Sequence, residues 1–295
     1  MKRIVVTGAS GFLGWNTVRV LVEEGYETVG VFCRHRVEID GAVAVGCDLA
    51  DAASVEELLA RSRPDVVIHC AARADTGWCR RFPEESHRVN VGATALLAAA
   101  CVRHHCRMLF VSTDLVFDGA RGSYREDDRV NPLCVYGHQK ALAESAVREA
   151  GPEHGICRLP LMFGDGGPAG SSFLQPLLAR LAAGERPPLF VDEYRTPVCA
   201  RTAAGGLLLA AQTGCPLLHL GGRERISRYE LGCRIARIWG YSEESLAPVR
   251  QRDVPLCGPR PPDTSLVSEQ AFSLGYRPGS VEEQLTCLKR TGTGC

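Results

Sequence analysis

The chain has 295 residues, 45% hydrophobic and 23% charged, with 34 basic side chains balanced by 34 acidic ones. That length gives ample core for one large or two modest domains, and zero formal net charge gives no sign of the basic surface that a nucleic-acid binder needs. No stretch approaches 18 uninterrupted apolar residues, and the apolar run of the opening "MKRIVVTGASGFLG" is only strand-length. Neither a signal segment nor a membrane span is therefore expected, and the chain reads as cytoplasmic.

"RIVVTG" (3–8) is a short β-branched run closed by glycine, the mark of a buried strand. "NTVRVLVEEG" has helical spacing, and "ETVGVFC" and "AVAVGCDL" read as the second and third strands. "SVEELLARS" predicts a helix with Ser54 as N-cap and Glu57 three residues on, a capping-box pattern. "PDVVIHCAA" is the fourth strand, "SHRVNVGATALLAAACVRHH" one long helix, and "RMLFVSTDLVF" the fifth strand. A polar loop of about twenty residues then leads to the helix of "VYGHQKALAESAV". Strand-helix alternation with short links predicts an α/β fold with a doubly wound, parallel Rossmann-type sheet.

Beyond residue 158 the pattern changes. "PLMFGDGGPAGSS" is glycine- and proline-rich and reads as a loop, followed by a smaller mixed region from "FLQPLLARLAAG" to "VEEQLTCLKR". The expected layout is a dinucleotide-binding domain over 1–158 and a substrate-binding region over 159–295. A strand near 216–222 can return to the first sheet, and the site is expected between the two units.

Fourteen cysteines raise the question of disulfides or metal, but there is no Cys-x-x-Cys pair and no Cys/His cluster at zinc-site spacing. Reduced, buried cysteines and no metal site are expected. Cys79 and Cys134 fall nearer the candidate site and are the two candidates for a reactive thiol.

Three features carry chemistry. Gly8, Gly11 and Gly14 stand between the first strand and first helix, where small residues let backbone approach a pyrophosphate at a helix N-terminus. The second strand ends in "FCRHR", with Arg34 and Arg36 where a carboxylate would bond the ribose of NAD; arginine there favours NADP(H), with NAD(H) as the alternative. Tyr136 and Lys140, at i and i+4, share one helix face. An ammonium beside a phenol lowers its pKa and suits it to exchange a proton with a carbonyl or alcohol oxygen.

In order, "TGASGFLG", "CDLAD", "CAARAD", "NVGAT", "VSTDLVFDG", "YREDD" and "YGHQK" resemble the extended short-chain dehydrogenase/reductase superfamily. The "STDLVFDG" block is most similar to the dTDP-4-dehydrorhamnose reductase family, and the likeness runs over nearly the whole chain. The resemblance implies that Tyr136 is the acid/base residue and that Lys140 lowers its pKa and holds the nicotinamide ribose. It implies that Thr113, or Ser112 beside it, binds the reacting oxygen. It further implies a pyrophosphate loop of Gly8, Ser10, Gly11, Phe12, Leu13 and Gly14, Asp48 and Leu49 beside the adenine, Ala71 and Ala72 along the cleft, and Asn90 shaping it. Asp114, Arg158, Arg195 and Arg260 are candidate substrate contacts, arginine because its fork matches phosphate geometry.

The implied reaction is NADPH-dependent reduction of a nucleotide-linked 4-keto-6-deoxysugar, with a homodimer left open as the assembly. Two departures bear on the substrate: Leu115 replaces the family's usual tyrosine after "STD", and "MFGDGGPAGSSF" is unusually rich in glycine. Two other readings stay open. One is an NADP-binding regulatory subunit resembling that of methionine adenosyltransferase; the other is an epimerase or dehydratase that retains NAD.

Overall fold

The structure is a computed structural model and describes residues 2–256 and 258–292. Its first six strands are β1 (Arg3–Thr7), β2 (Glu27–Phe32), β3 (Ala42–Gly46), β4 (Val66–His69), β5 (Arg107–Thr113) and β6 (Gly155–Leu159). Four short strands follow, β7 (Met162–Phe163), β8 (Pro188–Phe190), β9 (Tyr194–Arg195) and β10 (Val198–Cys199), and then β11 (Leu217–His219). The main sheet has seven strands in the order β11-β6-β5-β4-β1-β2-β3, and every pair is parallel. From β1 the chain winds outward to β3, then crosses to β4 on the other side of β1. That reversal opens a crevice at the carboxyl ends of β1 and β4, where such sheets bind their ligands.

Both faces of the sheet are covered, which is why its central strands are apolar at successive positions. Ile4 and Val6 face one core with Leu13 and Leu21 of α1 (Phe12–Glu23). Val5, between them, faces the other with Leu58 of α2 (Ala52–Ser62), as the period of two requires. Asp51, not Ser54, is the N-cap of α2: its carboxylate accepts from the Ser54 N–H at 3.0 Å. The helix starts earlier than predicted because aspartate occupies the cap as well as serine does.

The predicted long fourth-strand crossover is also subdivided. After α3 (Thr76–Arg81) come α4 (Pro83–His87), one π-helical turn over Arg88–Gly92, and α5 (Ala93–Arg103). Such wide turns often mark functional sites. The fifth strand ends at Thr113, and Asp114–Val116 form a 3-10 turn. The helix α6 (Val135–Ala150) buries Tyr136, Lys140, Ala143, Glu144 and Val147. These positions form a single stripe at helical spacing, so core packing itself points Tyr136 and Lys140 inward.

The rest of the chain builds a second core from α7 (Leu174–Ala182), α9 (Arg228–Trp239) and α11 (Val281–Thr291), including Leu177, Leu231 and Leu285. Between them, α8 (Ala200–Thr213) and α10 (Glu269–Ser273) pack on the main sheet. Two further strands, β12 (Ile226–Ser227) and β13 (Ala247–Val249), complete short pairs with β9 and β8, and β7 pairs with β10. Capping boxes start α9 at Ser227 and Glu230 and α11 at Ser280 and Glu283. Eleven described cysteines are free, whereas Cys287 is disulfide-bonded, against the expectation that all are reduced.

Candidate active site

A cleft of about 670 Å³ runs along the carboxyl edge of the sheet, from the glycine loop to the second core. Gly8 holds φ +70°, and a Cβ there would lie 2.8 Å from the Ala71 backbone. A Cβ on Gly14 would collide with the Gly8 carbonyl. These contacts draw β1, the start of α1 and the end of β4 together and leave backbone as the cleft wall. Gly11 is the N-cap of α1 and makes no side-chain capping bond, so the first donors of α1 face the cleft beside Phe12 and Leu13. That arrangement fits a dinucleotide pyrophosphate.

Thr113, Tyr136 and Lys140 line the same cleft. Tyr136 is 8% and Lys140 2% exposed, and the ammonium lies 3.9 Å from the Phe110 ring centroid. Burial outweighs neighbouring charge at both. It holds the Tyr136 phenol well above its usual range, with Cys79, Asp114 and Cys134 pushing the same way. It pulls Lys140 down to about 7, against the opposing effect of Glu144 one turn along. The protein's own groups therefore keep Tyr136 protonated, the reverse of the lowered phenol expected from the i, i+4 pair alone.

Thr113 Oγ1 donates to Asp114 Oδ1 at 3.1 Å and accepts from the Leu115 N–H at 3.2 Å. Ser112 also lines the cleft, and its Oγ donates to Glu144 Oε1 at 2.6 Å. Neither thiol near the site is activated. Burial raises both Cys79 and Cys134, and the Cys134 sulfur caps α6 by accepting from the Gly137 N–H at 3.4 Å.

The candidate arginines separate by environment. Arg158 lines neither cavity; it is 2% exposed and grips Glu144 with Nε at 2.9 Å and Nη2 at 2.8 Å. It also donates to His219 Nε2, 3.2 Å away, an imidazole that burial holds neutral by pulling it down to about 3. Arg195 borders the cleft, but its nitrogens are committed to Asp114 at 3.3 Å, the Tyr194 carbonyl at 2.6 Å and the Pro261 carbonyl at 3.1 Å. Asp114 in turn accepts from Thr264 Oγ1 at 2.6 Å, which makes it a brace between β5 and the C-terminal region. Burial raises its carboxyl despite Arg195.

Arg260 does reach the cleft, stacked 5.1 Å from the Phe190 ring and bonded to the buried Glu193 at 2.8 Å. Arg228, which the sequence did not single out, lies beside it. It opens α9, stacks 4.8 Å from the Phe173 ring and meets Glu193 at 3.3 Å.

A second cavity of about 330 Å³ continues the cleft past the glycine loop. Ser10, Arg34, Asp48, Leu49, Ala71 and Ala72 line it, together with Arg73 and Arg88. Asn90 lines neither cavity. Its amide accepts from the Arg73 N–H at 2.8 Å and donates to the Arg73 carbonyl at 3.1 Å and to Gln139 at 2.8 Å. It ties the π turn to the loop after β4 and to α6, which makes it a positioning residue. Among the described residues no His, Cys, Asp or Glu group is arranged to hold a metal, and no helix is long and apolar enough to cross a membrane.

A Rossmann-type sheet with a glycine loop, and a tyrosine, lysine and threonine along its carboxyl edge, defines an NAD(P)-dependent oxidoreductase of the extended short-chain dehydrogenase/reductase class. Within that class the chain belongs to the RmlD substrate binding domain family, whose model matches residues 1–289. It is 32% identical over 289 residues to the probable low-salt glycan biosynthesis reductase Agl14 of Haloferax volcanii, covering 96% of each chain. It is 27% identical over 286 residues to methionine adenosyltransferase 2 subunit beta of Bos taurus, covering 93% of this chain and 83% of that one. Among solved structures it resembles a hypothetical dTDP-4-dehydrorhamnose reductase from Sulfolobus tokodaii, with TM-score 0.83, 29% identity and coverage of 95% and 98%. It also resembles the NADP complex of dTDP-4-dehydrorhamnose reductase from Bacillus anthracis, with TM-score 0.85, 21% identity and coverage of 97% and 98%.

Proposed function

We propose that this chain reduces the keto group of a nucleotide-linked deoxysugar, with NADPH as reductant and Tyr136 as proton donor. The observation that carries the reading is that Tyr136, Lys140 and Thr113 converge on the cleft that begins at the glycine loop. The bound nicotinamide would supply the hydride. The chain's residues would handle the oxygen: Thr113 turns its hydroxyl from Asp114 toward the developing alkoxide, and Tyr136 gives up its proton. A phenol held protonated by burial is suited to the donor's part. Lys140, when charged, stabilises the phenolate left behind and offers a donor to a ribose hydroxyl.

The sugar's diphosphate would lie at the far wall, where Arg228 and Arg260 keep nitrogens free of Glu193. Aromatic stacking and that shared carboxylate hold both guanidiniums in place, which lowers the ordering cost of binding.

Loss of NADPH absorbance at 340 nm with a panel of nucleotide 4-ketosugars tests the proposal. Tyr136→Phe should lower turnover by at least about a thousandfold, at the severe end of removing a general acid, while NADPH still binds. Normal turnover in that variant would refute the assignment. The likeness to methionine adenosyltransferase 2 subunit beta supports a second reading, a regulatory subunit. Stable capture of a partner protein, with NADPH bound but oxidised by no ketosugar, would select it.

A further inference from the structure

We infer that Arg88, in the π turn, is a second specificity determinant for the adenosine 2′-phosphate of NADP(H), lining the adenosine pocket together with Arg34. Arg34 is the residue expected from the end of β2, and it lines the pocket with His35 and Ser10. Arg88 and Val89 of the π turn also line it, with Ala93 at the start of α5. A regular helix through residues 83–103 would space these side chains at 100° steps. The wide turn breaks that spacing and presents Arg88 and Val89 together to the pocket. The turn is held in place from within, because the Asn90 amide is bonded to both backbone groups of Arg73 and to Gln139.

Charge identifies what the pocket accepts. Three guanidiniums, Arg34, Arg73 and Arg88, line it against one carboxylate, Asp48. Asp48 is turned to the backbone, where it accepts from the Ala50 N–H at 3.0 Å. Among the described residues none of the three arginines pairs with a carboxylate, although eighteen other arginines do. The half-buried Arg73 is engaged with the Trp78 ring 5.0 Å away, whereas Arg34 and Arg88 are exposed and, among the described residues, held by neither a carboxylate nor an aromatic ring. A phosphomonoester dianion matches the surplus of two positive charges. The neutral 2′-hydroxyl of NAD would leave it unmatched.

This inference rests on the adenosine end of the proposed cofactor site, and its test uses no sugar. Calorimetry of the whole chain would measure NADP⁺, NAD⁺, 2′,5′-ADP and 5′-AMP against wild type, Arg88→Ala, Arg88→Lys and Arg34→Ala. A charge-assisted hydrogen bond is worth roughly a tenfold or greater change in affinity. Arg88→Ala should therefore weaken NADP⁺ and 2′,5′-ADP about tenfold and leave NAD⁺ and 5′-AMP within about twofold, with Arg88→Lys recovering part of the loss. Weakening of NADP⁺ and NAD⁺ alike, or of neither, would overturn the inference. If Arg88 discriminates as stated while no ketosugar oxidises NADPH, the pocket stands and the reductase reading falls. If the ketosugar is reduced but Arg88→Ala binds NADP⁺ normally, the opposite holds.

Discussion

Replacing Lys140 by methionine should destroy activity and stabilise the protein. Lysine has an ordinary pKa of 10.5 and is pulled to about 7 here, so its charged form is penalised in the fold by roughly 5 kcal/mol relative to the unfolded chain. Methionine keeps the apolar stem and removes the ammonium, but it also forfeits the contact with Phe110, worth about 2 kcal/mol when desolvated. A net gain of about 3 kcal/mol at pH 7 or below follows. For a chain of this size it corresponds to roughly 5 °C in Tm.

The sign with pH is fixed by linkage. Because the folded pKa is depressed, between about 7 and 10.5 the unfolded chain binds the proton and the folded one does not. Wild-type stability therefore rises with pH across that window, and the advantage of methionine shrinks by about 1.4 kcal/mol per pH unit. Thermal unfolding of both proteins at pH 6, 7, 8 and 9 measures this. A Tm difference that is independent of pH, or a methionine variant less stable than wild type at pH 6, would refute the reasoning. In the wild type, the same titration predicts that kcat/KM declines as pH rises through about 7, because the ammonium is lost there.

Arg158→Leu should destabilise the protein by about 3–5 kcal/mol, read from denaturant midpoints, because the fully buried Glu144 would lose its two-pronged partner. Gly14→Ala should weaken NADP⁺ by at least about tenfold in calorimetry. Its new methyl must displace the Gly8 carbonyl and with it the turn that brings backbone to the pyrophosphate.

The parts of this molecule that sequence reveals are those governed by local rules. The Gly8–Gly14 spacing reports a close backbone approach, strand-helix alternation reports the sheet, and the i, i+4 placement of Tyr136 and Lys140 reports a shared face that burial then turns inward. Arginine was illegible by comparison. Arg158, Arg195 and Arg260 look alike in a chain rich in arginine, and only the fold assigns the first to Glu144, the second to Asp114 and backbone carbonyls, and the third to the cleft. Arg228 and Arg88 were missed for the same reason, since neither sits in a pattern; the one local signal was Ser227 with Glu230, which marks Arg228 as the opening residue of α9. The direction of the Tyr136 shift failed on magnitude. Spacing shows that a cation is near, but the depth of burial decides which effect wins.

That contrast bears on why this chain, with only three lysines among its 34 basic residues, places one at position 140. A guanidinium stays charged at any physiological pH, so burying it requires a fixed anion, as Glu144 provides for Arg158. Lys140 has no carboxylate in salt-bridge contact among the described residues, and the negative end of Glu144 is already held by Arg148, Arg158 and Ser112. Only a base able to lose its proton near neutrality can occupy such a place without unfolding it. In the proposed reaction, the protonated fraction of Lys140 would be the form that stabilises a Tyr136 phenolate. Arg158 with its fixed Glu144 and Lys140 without a paired carboxylate are thus two different ways of burying a base in this fold.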